Sequence, residues 1–178
     1  MLIDRLHRCE FQRFCLLFFT ALMLITDCLP ADAQEDDPVV TEFDVDPAWP
    51  KRPDHVSGKG WVSGLAVDAK DQVWFFRRGP DPVQVYTAEG DFVRTWGKDQ
   101  FINPHHLRID HEGNIWVVDF GLHIVQKFTP EGELLMTLGV RGEKATDETH
   151  FNMPTDVAIT KSGDIFVTDG YGRGGTQR

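Results

Sequence analysis

Three side chains able to do chemistry, Arg78, His105 and Tyr171, stand at related places in a chain that repeats itself. An imidazole can ligate a metal or hold a hydrogen bond, a guanidinium stabilises negative charge, and a phenol exchanges a proton. A lone histidine is more often a structural hydrogen-bonder than a ligand, so His105 needs company before it implies a metal. His106, His111 and His150 read as exposed turn residues, and His123 as the residue that holds the turn after Asp119. Cys9, Cys15 and Cys28 all fall within the first 33 residues, leaving the rest of the chain without a thiol.

The elements that must position these residues are read from the stretch Asn103 to Asp119. Leu107 and Ile109, then Ile115 and Val117, alternate with other residues on either side of His111-Glu112-Gly113, the pattern of two short strands joined by a glycine-containing hairpin. A hairpin returns the chain to its starting edge, so His105 and the residues after Asp119 share one face.

The pattern recurs. Leu65-Ala-Val-Asp68, Leu107-Arg-Ile-Asp110 and Val157-Ala-Ile-Thr160 align at offsets of 42 and then 50 residues, as do Trp74, Trp116 and Phe166. Tyr86, Gly90 and Gly97 fall 42 residues before Phe128, Gly132 and Gly139, which carries the period over a second hairpin. Eight extra residues, in Arg141 to Thr149, form a loop between units. The alignment puts Ser63, His105 and Thr155 before the first strands. It puts Arg78-Gly79, Phe120-Gly121 and Gly170-Tyr171 after the second.

A unit of about 40 to 45 residues with four short strands and two glycine turns has the sequence form of a β-propeller blade. Helical repeats are excluded, because the apolar positions alternate in short runs and lack a 3.6-residue spacing. The fold class is all-β, with blades expected over 61–97 and 103–139 and an incomplete one over 152–178. That is two and a half to three blades, whereas closure takes about four to eight, so the chain reads as a propeller fragment. Trp74, Trp116 and Phe166 read as blade packing. Residues 34–60 form a leader and connector, with a first strand over Val39 to Val45 and a surface segment at Pro47, Pro50 and Pro53.

Residues 1–33 have the three parts of a secretory signal: Arg5, Arg8 and Arg13, an apolar run of about a dozen residues from Phe14 to Ile25, and Ala31-Asp32-Ala33. The run is short for a bilayer span, so export to a periplasmic, secreted or lumenal location is expected, with signal-anchor retention as the alternative. Cleavage leaves 145 residues with 15 basic and 24 acidic side chains. That balance argues against nucleic acid as a partner and suits a soluble exported protein.

Three stretches go beyond blade grammar. They are Val62-Ser-Gly-Leu-Ala-Val-Asp68 running into Phe76-Arg-Arg-Gly79, then Pro104-His-His-Leu-Arg-Ile-Asp110 with Gly113 to Asp119 and Leu122-His123, and then His150 to Val157 with Asp169-Gly-Tyr171. From Trp61 to Tyr171 the chain resembles the first half of the peptidyl-α-hydroxyglycine α-amidating lyases, which are six-bladed NHL-repeat propellers. The resemblance implies a zinc ion held by three histidines, with His105 the first, and a calcium ion bound in part by the backbone carbonyls of Leu65 and Leu107. It also implies Arg78 as the catalytic arginine and Tyr171 as the base. The other two zinc histidines would lie in later blades, and no further Pro-His-x-Leu or Pro-His-x-Ile motif occurs, so the chain alone is expected to be inactive.

Two other functions fit the same pattern. One is a non-catalytic NHL propeller serving as an exported binding scaffold. The other is a metal-dependent, lactonase-like propeller, which needs acidic ligands lining its channel. Either way the expected partner is a peptide or small molecule, and open blade edges favour self-association.

Overall fold

The computed structural model describes residues 42–171. The signal reading, the first part of the expected Val39 to Val45 strand and the stretch after Tyr171 lie outside the described residues. Among the described residues ten strands run in chain order: β1 (Val62–Val67), β2 (Val73–Arg77), β3 (Val83–Tyr86), β4 (Phe92–Trp96), β5 (Pro104–Ile109), β6 (Ile115–Asp119), β7 (Ile124–Phe128), β8 (Leu134–Leu138), β9 (Pro154–Ile159) and β10 (Ile165–Asp169). Residues 42–45 are not a strand, so β1 is the first strand among the described residues. Each sheet is an antiparallel meander, β1-β2-β3-β4, β5-β6-β7-β8 and the pair β9-β10. These are two complete propeller blades and the first two strands of a third.

Each inner hairpin closes the same way. The Asp68 N–H donates to the Gln72 carbonyl, Asp110 to Asn114 and Thr160 to Asp164, all at 3.0 Å. The left-handed position that this loop requires is taken by Asp71, Gly113 and Gly163 in turn. In the first two blades the aspartate at the hairpin start also accepts the indole N–H of the buried tryptophan, Trp74 to Asp68 and Trp116 to Asp110, each at 2.9 Å. The third blade has Thr160 and Phe166 there, losing donor and acceptor together, so neither is left orphaned.

Blades stack face to face. Trp74, Phe76, Val83 and Val85 of the first pack on Leu107, Ile115, Val117 and Phe128 of the second. Trp116, Val118 and Val125 then pack on Val157 and Val167 of the third. At the inner strands a Cβ on Gly64 would meet the Leu107 amide nitrogen at 2.6 Å, so only glycine allows that approach. Phe166 departs from its expected role. It is 56% exposed, because it stands on the face of the third blade that no described sheet covers.

The proline-rich connector does more than span the surface. Trp49 stacks edge-on against Phe75, with ring centroids 5.7 Å apart, lies 6.4 Å from the buried Tyr86, and donates its indole N–H to the Ala88 carbonyl. It thereby covers the outer half of the first sheet. No helix among the described residues is long and apolar enough to cross a membrane.

Candidate active site

Arg78, Phe120 and Tyr171 occupy one slot in three successive blades. The Arg78 N–H donates to the Trp61 carbonyl at 2.9 Å, Phe120 to Asn103 at 3.3 Å, and Tyr171 to Met153 at 3.2 Å, the same bond repeated just beyond β2, β6 and β10. The sequence alignment pairs Phe120 with Gly170, one residue before Tyr171. Pro154 pairs with Asp169 as Pro104 pairs with Asp119, so the extra residue is Gly170, whose left-handed conformation carries the chain on to Tyr171.

The side chains meet. His105 and Phe120 have ring centroids 5.6 Å apart at 81°, His105 and Tyr171 are 5.5 Å apart at 62°, and Phe120 and Tyr171 are 5.7 Å apart. The Arg78 guanidinium carbon sits 5.1 Å from the centre of the Phe120 ring, and its Nε donates to the Pro104 carbonyl at 3.0 Å. The three residues singled out in the sequence therefore surround Phe120. Tyr171 is 67% exposed, and Arg78 and His105 are half-buried, so the group is open to solvent.

Asp119 fixes the backbone that carries the group. Its carboxylate accepts the N–H groups of Ile102 and Asn103, before β5, and of Gly121 and Leu122, after β6, at 2.7 to 3.1 Å. Asp169 accepts the Asn152 N–H in the same way. In the first blade Arg77 takes this place and reverses the polarity, donating to the carbonyls of Ser57, Gly58, Lys59 and Gly60. Burial lowers the Arg77 pKa, with nearby Arg52 acting in the same direction. Sequence reasoning gave no role to Asp119 or Phe120, although the repeat alignment sets Phe120 beside Arg78.

The structure also fixes the tautomer of His105. Its Nδ1 lies 2.8 Å from the Thr155 carbonyl oxygen, which can only accept. Nδ1 therefore carries a proton, and in the neutral ring Nε2 keeps its lone pair. A backbone carbonyl orienting one ring nitrogen while the other remains a donor is the usual support of a metal-binding histidine. His105 thus fits as one zinc ligand, and a catalytic zinc takes about three from the protein. Among the described residues no three His, Cys, Asp or Glu side chains gather at metal-binding distance.

Backbone alternation places the carbonyls that would serve calcium. The hairpin bonds place Leu65 opposite Phe75 and Leu107 opposite Val117 at non-hydrogen-bonded positions, so their carbonyls turn from β2 and β6 toward the free edges of β1 and β5. Val157, opposite Val167, is the equivalent residue in the third blade. Carbonyl oxygens are suitable hard donors for calcium.

The other histidines divide. His106 is not an exposed turn residue. It lies in β5, half-buried, with Nε2 3.6 Å from Asp156 of β9, which Arg108 grips at 3.1 and 2.7 Å. Burial lowers the His106 pKa, while Asp156 opposes that effect. His123, in a left-handed conformation, accepts the Met153 N–H at 3.1 Å and ties the second blade to the third. His150 is half-buried in the interblade loop, bonded to Asp147, and that bond raises its pKa. His111 is exposed.

Comparison with known proteins bears on this arrangement. An NHL repeat matches residues 151–174. The chain is 36% identical over 139 residues to peptidyl-glycine alpha-amidating monooxygenase A of Xenopus laevis, and 39% identical over 136 residues to the probable peptidyl-alpha-hydroxyglycine alpha-amidating lyase of Caenorhabditis elegans. Over this stretch the chain is similar to the amidating lyases. Each match covers 63% of the chain, which spans 15% of the frog protein's length and 39% of the worm protein's. A Bacteroides thetaiotaomicron protein of unknown function shares the fold, with a TM-score of 0.50 and 19% identity over 63% of this chain and 31% of that one. Arg78, His105 and Tyr171 come from three successive blades and meet around Phe120.

Proposed function

We propose that the chain is an exported NHL propeller carrying the first part of a zinc-dependent site that cleaves peptidyl-α-hydroxyglycine to a peptide amide and glyoxylate. The observation that supports this is the cluster in which His105 and Tyr171 stand 5.5 Å apart, with Arg78 and Phe120 beside them. His105, through Nε2, is one ligand for zinc, and Leu65 and Leu107 offer their carbonyls to calcium. Bound zinc supplies Lewis acidity toward the substrate hydroxyl.

The residues of this chain supply the rest. Tyr171, exposed at the mouth, takes the α-hydroxyl proton as base. Arg78 stabilises negative charge on the phenolate and the substrate carboxylate. The hydroxyl oxygen then forms the carbonyl of glyoxylate as the carbon–nitrogen bond breaks, and the nitrogen takes a proton and leaves as the peptide amide.

One histidine is too few for a catalytic zinc, so the chain alone is expected to release no glyoxylate. The test is a hybrid in which residues 61–171 replace the matching segment of the Caenorhabditis elegans relative. His105→Ala in that hybrid should lower zinc occupancy. Full zinc stoichiometry in the variant would remove His105 from the ligand set and favour the binding-scaffold reading.

A further inference from the structure

Arg78 has an unusual set of neighbours for an arginine. Among the described residues its guanidinium makes no ion pair, and one of its N–H groups is bonded, Nε to the Pro104 carbonyl. Arg77, its neighbour in the chain, directs its guanidinium into the carbonyls of Ser57 to Gly60 and has a structural task. Among the described residues Arg78 is held instead by one carbonyl and one aromatic face, and neither Nη group has a hydrogen-bond partner. A guanidinium is a planar fork of donors suited to a carboxylate, but its long stem must be pre-oriented for that fork to act.

We infer that Phe120 is the positioning residue for Arg78. The inference rests on the lyase reading for its purpose and on the contacts of Phe120 for its geometry. Phe120 occupies the slot between those of Arg78 and Tyr171, and it is the one residue of the three that touches both of the others and His105. Its π face attracts the cation, and the perpendicular His105 ring keeps the phenyl from turning away. Pro104, whose carbonyl holds Nε, directly precedes His105, so the bond to Arg78 and the imidazole share one stretch of backbone. A leucine at 120 fills similar space but offers no quadrupole, so packing and cation attraction can be separated.

The experiment reads the Arg78 Nε–H signal in ¹H–¹⁵N spectra of the full chain, assigned by its loss in Arg78→Lys. In the wild type this signal should be displaced upfield by the Phe120 ring current and protected from exchange by Pro104. Phe120→Leu should return it toward the position of a free arginine, while Phe120→Trp, which keeps a face, should hold it displaced. An unmoved signal in Phe120→Leu overturns the inference. If the leucine variant fails to fold, a free-arginine signal in Phe120→Trp overturns it equally.

Titration with glyoxylate, followed at the same signal, keeps the two readings apart. Affinity should fall about three- to tenfold in Phe120→Leu and stay within about twofold in Phe120→Trp. Equal affinity in all three proteins overturns the positioning role. A wild type whose Arg78 signal is ring-shifted yet silent to glyoxylate counts against the lyase reading, while the ring-current result still decides Phe120.

Discussion

The Nδ1 of His105 lies 2.8 Å from the carbonyl oxygen of Thr155, so a side chain of the second blade is oriented by the backbone of the third. The two residues occupy the same place in their units, and the bond closes the inner ends of adjacent blades together. Its chemical consequence is the Nδ1–H tautomer. Long-range ¹H–¹⁵N spectra of neutral His105 should show the proton on Nδ1 and a bare Nε2. The opposite tautomer would remove Nε2 as a donor to metal.

Close stacking of the first two blades depends on Gly64. A Cβ there would meet the Leu107 nitrogen at 2.6 Å, and backbone cannot step aside as a flexible side chain can. Gly64→Ala should therefore destabilise the chain by about 1–3 kcal/mol, the usual cost of overpacking, read as a lower midpoint in urea unfolding. A midpoint equal to the wild type would mean that the blades separate freely at this edge.

The indole–aspartate bond makes a paired prediction. Asp110 accepts from Trp116, Glu112, Asn114 and Lys127; burial raises its pKa, but the bonds from Trp116, Asn114 and Lys127 outweigh that and hold it below the ordinary aspartate value. Asp110→Ala leaves a buried indole N–H without an acceptor and should cost about 1–3 kcal/mol. Asp110→Thr combined with Trp116→Phe copies the third blade's pair and should cost less than the sum of the single changes. Strict additivity in a double-mutant cycle would contradict the account.

Blade strands were legible because apolar alternation and the turn residues after Asp68, Asp110 and Thr160 agree, and the 42-residue offset then fixed which residues are equivalent. His106 was misread because Pro104 already opens β5, and a bulge between them turns the imidazole toward Asp156. Phe166 was misread because its sequence environment matches Trp116, while its exposure depends on which sheet lies next. Trp49 was invisible for another reason. Its partners, Phe75 and Tyr86, are far along the chain, and an aperiodic, proline-rich segment gives no sign of what it covers. At the site, equivalence suggested that Arg78, His105 and Tyr171 share a face, but the slot held by Phe120 needed the coordinates. Gly170, inserted after Asp169, displaces Tyr171 by one residue from its aligned place.

Histidine titration sets the acid response. Burial lowers the pKa of His106, with Arg108 and His105 helping and Asp156 opposing, and burial likewise lowers that of His123. Both folded values lie below the unfolded value of about 6.5, so the native state binds fewer protons. Their stability contribution is complete above that pH and is lost as pH falls through it toward the folded values. His150 has the opposite sign. Its bond to Asp147 raises its pKa, and its contribution is complete below about pH 6.5 and is lost as pH rises through the raised value. The Tm of His106→Asn should fall less than that of the wild type between about pH 7.5 and 5.5, and that of His150→Asn should fall more. Parallel Tm curves for His106→Asn and wild type would show that this histidine carries no linkage.

The central claim is that the cluster of Arg78, Phe120, His105 and Tyr171 is part of an amidating-lyase site, and glyoxylate release tests it most directly. The hybrid bearing residues 61–171 should release glyoxylate from a peptidyl-α-hydroxyglycine in a zinc-dependent reaction. Tyr171→Phe should leave zinc bound and slow release by about 10²- to 10⁴-fold, the usual contribution of a general base. A folded, zinc-loaded hybrid that releases no glyoxylate, or a Tyr171→Phe hybrid within about twofold of its parent, would contradict it.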